Sequence, residues 1–347
     1  MLYKNNNLLS GKHTTILGIE SSCDDTSAAV LCGSKIVSNC VSTQKIHQKY
    51  GGVVPELASR AHQELIVPVI SEALEIAGMN LDEIDAIACT RGPGLMGSLV
   101  VGLSFAKALA LAINKPLIDV NHMKAHVLAH FIEDDNKQMP NFPFLCLTVS
   151  GGHTQIVEVK ADNDMKVIGT TIDDAAGEAF DKAAKMIGID YPGGPELDRL
   201  AEDGDPNKFS FAKPNIKELD FSFSGLKTSI LYKIRDLSKN EPDFVISNKL
   251  DLCASIRKSI VDILMAKILK AAKSKKIKRI AIAGGVSANK ELRRRLIALE
   301  DEGYSVHIPK FEYCTDNAAM VAIAGKFRFE RGDFASQAIA AEPRLKW

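Results

Sequence analysis

The chain has 347 residues, 46% hydrophobic and 25% charged, with 43 Lys+Arg balanced by 43 Asp+Glu. It is long enough for two domains or one large one with ample core, and the zero net charge excludes a global field drawing it to nucleic acid or membrane. No run approaches about 18 uninterrupted apolar residues, so no membrane span is expected.

Residues 1–14 lack a continuous apolar core, so no signal peptide is expected either. Cys23, Cys32, Cys40, Cys89, Cys146, Cys253 and Cys314 are scattered and never spaced as C-x-x-C. That usage predicts buried or free thiols in a reducing cytoplasm.

In chain order, Ile16–Glu20 predicts a strand, and Ser21-Ser22-Cys23-Asp24-Asp25 a polar turn. Strands follow at Thr26–Leu31 and Lys35–Val41. Val54–Gly78 has helical periodicity, with Pro55 tolerated in the first turn. A strand at Ile84–Cys89, a helix at Leu99–Ile113 and a strand at Leu117–Val120 lead into Asn121-His122-Met123-Lys124-Ala125-His126, whose apolar pattern continues as a helix to Phe131.

The same order then starts again. Phe144–Val149, Thr154–Val159 and Lys166–Thr171 predict strands, and a long helical region spans Ala175–Lys276, interrupted at Tyr191-Pro192-Gly193-Gly194-Pro195 and near Asp205-Pro206. Arg279–Ala283 predicts a strand, Ser287–Glu300 a helix, Ser305–Ile308 a strand and Asp316–Arg331 the last helix. Each half reads βββαβαβα, an internal repeat. The predicted fold is α/β, two copies with a ligand cleft between them. The halves are placed at 1–135, joined by the C-terminal helix at about 318–347, and at 136–317, with the helical insertion at about 175–276.

Histidines four residues apart on a helix project from one face. His122 and His126 thus suit two nitrogens closing on one metal ion; the alternative is a wet helix face with incidental histidines. His130 lies about 12 Å along the axis from His122, so one ion takes only two of the three. A zinc-protease motif needs Glu directly after the first His, and Met123 stands there. The repeat places Cys314-Thr315-Asp316-Asn317 at the counterpart of the histidine helix. Asp316 is therefore expected to reach His122 and His126 across the cleft and complete a His₂-carboxylate site. Its alternative is an ordinary N-cap.

Three small turns stand at equivalent strand ends: Ser21-Ser22, Ser150-Gly151-Gly152, and Gly284-Gly285 running to Asn289. Small residues let backbone N–H groups approach an anion closely, which predicts a nucleotide cleft.

Long ordered motifs from about Ile16 to the C-terminus resemble one family. They are Gly18 to Thr26, His122 to His126, Val149-Ser150-Gly151-Gly152-His153-Thr154, Asp173 to Lys182, Tyr191 to Pro195, Phe223-Ser224-Gly225-Leu226-Lys227 and Gly284 to Asn289. The chain resembles the TsaD (Gcp, YgjD) family of tRNA threonylcarbamoyladenosine transferases, bacterial branch, within the actin, Hsp70 and sugar-kinase (ASKHA, RNase H-like) superfamily. The resemblance implies a metal on His122, His126 and Asp316. It implies threonylcarbamoyl-AMP bound by Thr148, Val149, Ser150, Gly151 and Gly152 with Asp181, Gly194, Asp198 and Asn289. The implied reaction moves the threonylcarbamoyl group to N6 of adenosine 37 in tRNAs reading codons that begin with A, leaving AMP. A TsaB-like paralogue and a TsaE-like ATPase are the implied partners. The donor set accepts Fe2+ or Zn2+. Lys124 stands where the family often carries Glu, reversing the local charge.

Two other classes have their own signals. A superfamily kinase transferring phosphate from ATP to a small metabolite usually shows an Asp-Gly first turn, where this chain has Glu20-Ser21-Ser22. A non-catalytic tRNA-binding subunit would use the eleven basic residues within Lys267–Arg279 and Lys290–Arg295 as a phosphate-contact face; two solvated helix faces are the alternative.

Overall fold

The computed structural model describes residues 13–134, 138–214 and 216–347. The chain divides into two compact units. Unit 1 holds the described residues up to Ile46, with Val53–Met139 and Thr315–Trp347; unit 2 holds His47–Gly52 and Pro140–Cys314. The boundary drawn at 135/136 lies outside the described residues, as does most of the N-terminal stretch read for a signal core. The return to unit 1 comes between Cys314 and Thr315, earlier than the 317 expected from sequence. Asp316 therefore belongs to the same unit as His122 and His126, which corrects the expectation of a ligand contributed by the second half.

Unit 1 opens with β1 (Thr15–Glu20), β2 (Asp25–Cys32) and β3 (Lys35–Thr43), then α1 (Pro55–Ala77), β4 (Ala86–Gly92), α2 (Met96–Ala112), β5 (Leu117–Asn121) and α3 (His122–Leu128). Its sheet order is β3-β2-β1-β4-β5. The hairpins β1–β2 and β2–β3 are antiparallel, whereas β4 and β5 add in parallel. Unit 2 repeats the plan with β6 (Phe144–Val149), β7 (Thr154–Val159) and β8 (Met165–Thr170). There follow α4 (Ala176–Met186), α5 (Gly193–Leu200), α6 (Ser224–Ser238), α7 (Phe244–Ser247), α8 (Lys249–Lys275), β9 (Arg279–Ala283), α9 (Lys290–Ile297) and β10 (Ser305–His307). The order β8-β7-β6-β9-β10 is that of unit 1, strand for strand. The duplication is present in space as well as in sequence. The last helix, α10 (Ala318–Glu330), packs on β1, β2 and β4 of unit 1.

The residues of β1 explain how α10 reaches that sheet. Successive side chains of a strand face opposite ways. Leu17 and Ile19 join a core with Ile66, Val69 and Ile70 of α1 and Leu103 and Ala106 of α2. Gly18 faces the other way, where a Cβ would come within 2.4 Å of the Ala318 carbonyl oxygen and 2.9 Å of the Ala322 Cβ. Gly325 of α10 is matched to Ala88 of β4 in the same way, its Cβ falling 2.5 Å from that methyl. Two absent side chains thus let α10 lie directly on the sheet. The start of α10 is fixed by Asn317, whose side chain accepts from Met320 N, and by Ser27 Oγ of β2, which accepts from Ala318 N at 2.9 Å. The N-cap is Asn317 and not Asp316.

In unit 2, α8 packs along β6, and α9 is tied to α8 by Asp262. That carboxylate accepts from Lys213 at 2.6 Å, Lys258 at 2.9 Å and Arg295 of α9 at 2.5 Å. Burial pushes its pKa up, but Lys213, Lys258 and Arg295 outweigh it and hold the group at about 2. A depressed carboxylate stabilises the fold at pH values above its unfolded value and loses that contribution as pH falls through the folded one. Asp262→Asn should therefore cost on the order of 2 kcal/mol near neutrality. Urea midpoints of variant and parent should stay apart above about pH 4 and converge as pH falls from there toward the folded value near 2; a gap that stays constant over that lower range would refute the assignment.

Candidate functional site

The histidine helix starts where β5 ends because Asn121 caps it, its side-chain oxygen accepting from Met123 N at 2.9 Å and Lys124 N at 3.1 Å. His122 is thereby the first residue of α3, at the strand terminus. The helix is shorter than the sequence suggests and gives way to a 3-10 turn at Ala129–Phe131. His122 and His126 are 7% and 2% exposed, with ring centroids 4.7 Å apart and planes at 87°. Asp316 arrives from the lead-in to α10. Its Oδ1 lies 3.2 Å from His126 Nε2 and 3.5 Å from His122 Nε2. One ligand atom from each of the three residues lies within 4.8 Å of the others, and they form the single such group among the described residues. His130 is fully buried and outside the group.

The surroundings of His122 show what this cluster is built to hold. Its Nδ1 lies 3.1 Å from Glu20 Oε2, at the end of β1, and 3.1 Å from Ser22 Oγ. A carboxylate only accepts, so Nδ1 carries a hydrogen toward Glu20, and Nε2 is the nitrogen that faces Asp316. Glu20 is itself fully buried and accepts from Thr90 Oγ1 at 2.7 Å and Ser22 N at 2.5 Å. Burial pushes the Glu20 carboxyl up, but the charge of His122 against it draws it below its usual value. For His122, burial lowers the affinity for a proton, yet Asp316 and Glu20 together raise it to about 9. Asp25, on the same turn, is pushed up to about 7 by burial, with Thr43 opposing and the charges of Asp316, Asp24 and Glu20 adding to the rise. The site concentrates negative charge and favours a cation at the imidazole nitrogens. Two imidazoles, one carboxylate and a carboxylate behind the first histidine fit a divalent metal ion with open positions.

Sequence reasoning passed over Glu20 as a functional residue. The signal was its place at the end of β1, in the turn that also carries Ser21 and Ser22. Glu20→Gln keeps the size but sets an amide against the Nδ1 hydrogen. Metal affinity should fall by about 10–100-fold, the usual cost of losing an outer carboxylate partner. Metal titration of the purified variant checks this, and unchanged affinity would remove Glu20 from the site.

Other sequence expectations meet the structure differently. Ser21 Oγ donates to Ser98 O, and Ser22 N donates to Glu20, the carboxylate that also holds His122. Burial, reinforced by Asp24 and Asp316, pushes the Cys23 thiol up, away from the thiolate form. Lys124 is half-buried, and burial together with Arg328 and Arg331 lowers its pKa. Most of the basic residues proposed as a phosphate face are engaged within the protein. Lys267 and Lys270 donate to Glu218 O, Lys275 pairs with Glu158, Arg279 donates to Pro143 O, Arg293 to Ser287 O and Arg295 to Asp262.

In unit 2, the parallel pairing of β6 with β9 sets Thr148 opposite Ala283, so the turns leaving the two strands stand side by side. Gly284 makes this contact: its φ is +87° and a Cβ would fall 2.5 Å from Val149 O. Only glycine accepts both demands. Thr148 and Val149 are 1% exposed residues at the end of β6, paired with Gln155 and Thr154 of β7. Gly151 and Gly152 are different, since a Cβ on either meets nothing within 4 Å. Asp181 Oδ1 accepts from Gly194 N at 2.8 Å, and burial raises its pKa against that bond. Asn289 Nδ2 donates to Asp198 Oδ1 at 2.8 Å. The candidate residues of unit 2 thus form two joined pairs, Asp181 with Gly194 and Asp198 with Asn289, beside an open glycine turn.

The twin β-sheets with their matching order define an ASKHA-type fold, and the converging His, His and Asp side chains give it a candidate metal centre. Among solved structures, full-length HypF in its phosphate- and nucleotide-bound form aligns with a TM-score of 0.62 at 15% identity, covering 93% of this chain and 48% of that one, a likeness of fold. The family model for TsaD, tRNA N6-adenosine threonylcarbamoyltransferase, matches residues 35–323. A relative of that description from Christiangramia forsetii is 56% identical over 340 residues, covering 98% of this chain and 100% of its own. One from Riemerella anatipestifer is 58% identical over 336 residues, covering 96% and 98%. The chain belongs to the TsaD family.

Proposed function

We propose that this chain transfers the threonylcarbamoyl group of threonylcarbamoyl-AMP to N6 of adenosine 37 in tRNAs reading codons that begin with A. The observation that carries the reading is the convergence of His122, His126 and Asp316, in a chain whose relatives bear that activity in their names. The N6 nitrogen attacks the carbamoyl carbon, the carbon–oxygen bond to phosphate breaks, AMP leaves and N6 gives up one proton. An exocyclic adenine amine is a poor nucleophile, so the electrophile must be polarised and held. His122, His126 and Asp316 would hold a divalent ion, Fe2+ with Zn2+ as the alternative, and its Lewis acidity would supply polarisation of the carbamoyl carbonyl. Glu20 orients the His122 ring. In unit 2 the Ser150-Gly151-Gly152 main chain receives the phosphate, and amides aimed at it stabilise the charge as AMP departs. Asp181, Gly194, Asp198 and Asn289 complete the donor site. A TsaB-like paralogue and a TsaE-like ATPase are the proposed partners, and the cytoplasm the proposed compartment. Among the described residues, no helix is long and apolar enough to cross a membrane.

The test supplies the chain and these partners with threonylcarbamoyl-AMP and unmodified tRNA, then digests the tRNA for mass spectrometry. Threonylcarbamoyladenosine is the expected product. Phosphoryl transfer from ATP to a small metabolite, or salt-sensitive tRNA binding without turnover, would overturn the reading in favour of the other two classes.

A further inference from the structure

Arg257 of α8 is 5% exposed, and its helix buries mostly apolar neighbours there, Leu252, Cys253, Ile256 and Ile260. Withdrawing a charge from water costs several kcal/mol, on the order of what its partners return, and an apolar side chain of similar volume often serves stability as well. Packing alone is a weak reason for a guanidinium here. Its contacts give a better one. Nη1 donates to the main-chain oxygen and to Oδ1 of Asp198, both at 3.0 Å, and to the Glu202 carboxylate, while Nη2 donates to Ala201 O at 3.1 Å. One rigid fork therefore gathers the end of α5 and the turn after it.

The chain of bonds continues past Asp198. Its Oδ1 also accepts from Asn289 Nδ2 at 2.8 Å, and its Oδ2 from Lys290 N at 3.1 Å. Asn289 Oδ1 in turn caps α9, accepting from Leu292 N at 2.9 Å. With the oxygen committed to the helix and one amide hydrogen to Asp198, the orientation of the Asn289 amide is set. Its second Nδ2 hydrogen is the one left for an acceptor outside this network.

We propose that Arg257 is a positioning residue for adenylate binding: by holding Asp198 from α8, it fixes the direction in which Asn289 presents its remaining amide N–H beside the Gly284–Asn289 turn. This rests on the reading of unit 2 as the donor-binding half. The ligand class is the nucleoside monophosphate part of the donor. Arg257 touches no substrate in this scheme and acts through Asp198 and Asn289.

The experiment measures AMP affinity by calorimetry in Arg257→Gln, Arg257→Lys, Asn289→Ala and the double variant Arg257→Gln/Asn289→Ala, well below each unfolding temperature. Arg257→Gln should weaken AMP binding by at least about fivefold, in the range of coupled contact residues. Arg257→Lys should recover part of that loss, and metal affinity at His122 and His126 should not move. In the Asn289→Ala background, removing Arg257 should change AMP affinity little further. A lowered unfolding temperature with unchanged AMP affinity, or full additivity in the double variant, would reduce Arg257 to a structural part and overturn the proposal. Should Arg257→Gln fail to fold, Arg257→Lys with and without Asn289→Ala makes the same comparison. If the parent binds no AMP, or Asn289→Ala leaves its affinity intact, the donor-site reading falls and this inference with it. A loss in Asn289→Ala with none in either Arg257 variant overturns this inference alone.

Discussion

Asp316→Asn should lower affinity for a divalent ion by at least about a hundredfold, beyond the roughly 10–100-fold typical of an outer partner, while leaving the fold intact. The variant keeps the volume of the side chain and removes its charge, and a neutral amide is a poor ligand for a divalent ion. The competing explanation for an Asp before a helix is capping, where Asn serves about as well. Here that role is already filled, because Asn317 accepts from Met320 N and Ala318 N is held by Ser27. Asp316→Asn therefore tests the ligand role without disturbing the start of α10. Its Oδ1 is the shared neighbour of both imidazole nitrogens, so its loss affects the whole cluster. Metal titration and thermal unfolding would be read side by side, the unfolding in metal-free protein so that ligand linkage does not mix the two. His122→Ala and His126→Ala should show the same loss of metal, whereas His130→Ala should keep it. Near-normal affinity in Asp316→Asn would falsify the three-ligand site.

Much of this centre was legible in the sequence because it depends on local periodicity. The i,i+4 spacing of His122 and His126 needs only a helix, and Asn121 after a buried strand supplies its beginning. The repeat also pointed to Asp316, but its geometry came out differently. α10 returns to the sheet of unit 1 because Gly18 and Gly325 leave room for it, and no pattern within the second half announces that return. Glu20 was hidden for a related reason: its partners Thr90 and His122 are 70 and 102 residues away, so strand pairing rather than spacing brings them together. The stretches 204–214 and 216–223 show the opposite limit. They were read within a helical region interrupted only near Asp205-Pro206, yet they are irregular, and side chains satisfy part of their main chain: Asp251 accepts from Asp205 N, Ser255 from Phe209 N and Ser229 from Ala212 N. Such bonding leaves no period to detect. The Arg257 network is of the same kind, since a single Arg in an otherwise apolar helix face reads as an exception until its four acceptors are seen.

Gly151→Val should cost the chain at least about tenfold in AMP affinity, the loss that follows when a charge-assisted amide contact worth about 1.5–3 kcal/mol is blocked. The position is suited to the test because the protein itself has no objection to a side chain there. A Cβ on Gly151 meets nothing within 4 Å, and the residue does not occupy the left-handed region. Folding stability should therefore stay close to the parent, and whatever the valine displaces must come from outside the protein. Gly284 would be a poor substitute, since its φ of +87° and the 2.5 Å approach of its Cβ to Val149 O mean that any replacement distorts the turn before a ligand arrives. Metal affinity serves as the internal control: the His122, His126 and Asp316 cluster lies in unit 1, Gly151 in unit 2, and the first should be indifferent to the second. Calorimetry with AMP, a metal titration and a thermal melt on one preparation give all three readings. Unchanged AMP affinity would remove the phosphate from the Ser150-Gly151-Gly152 turn and leave the Gly284–Asn289 turn as the remaining main-chain cradle in unit 2.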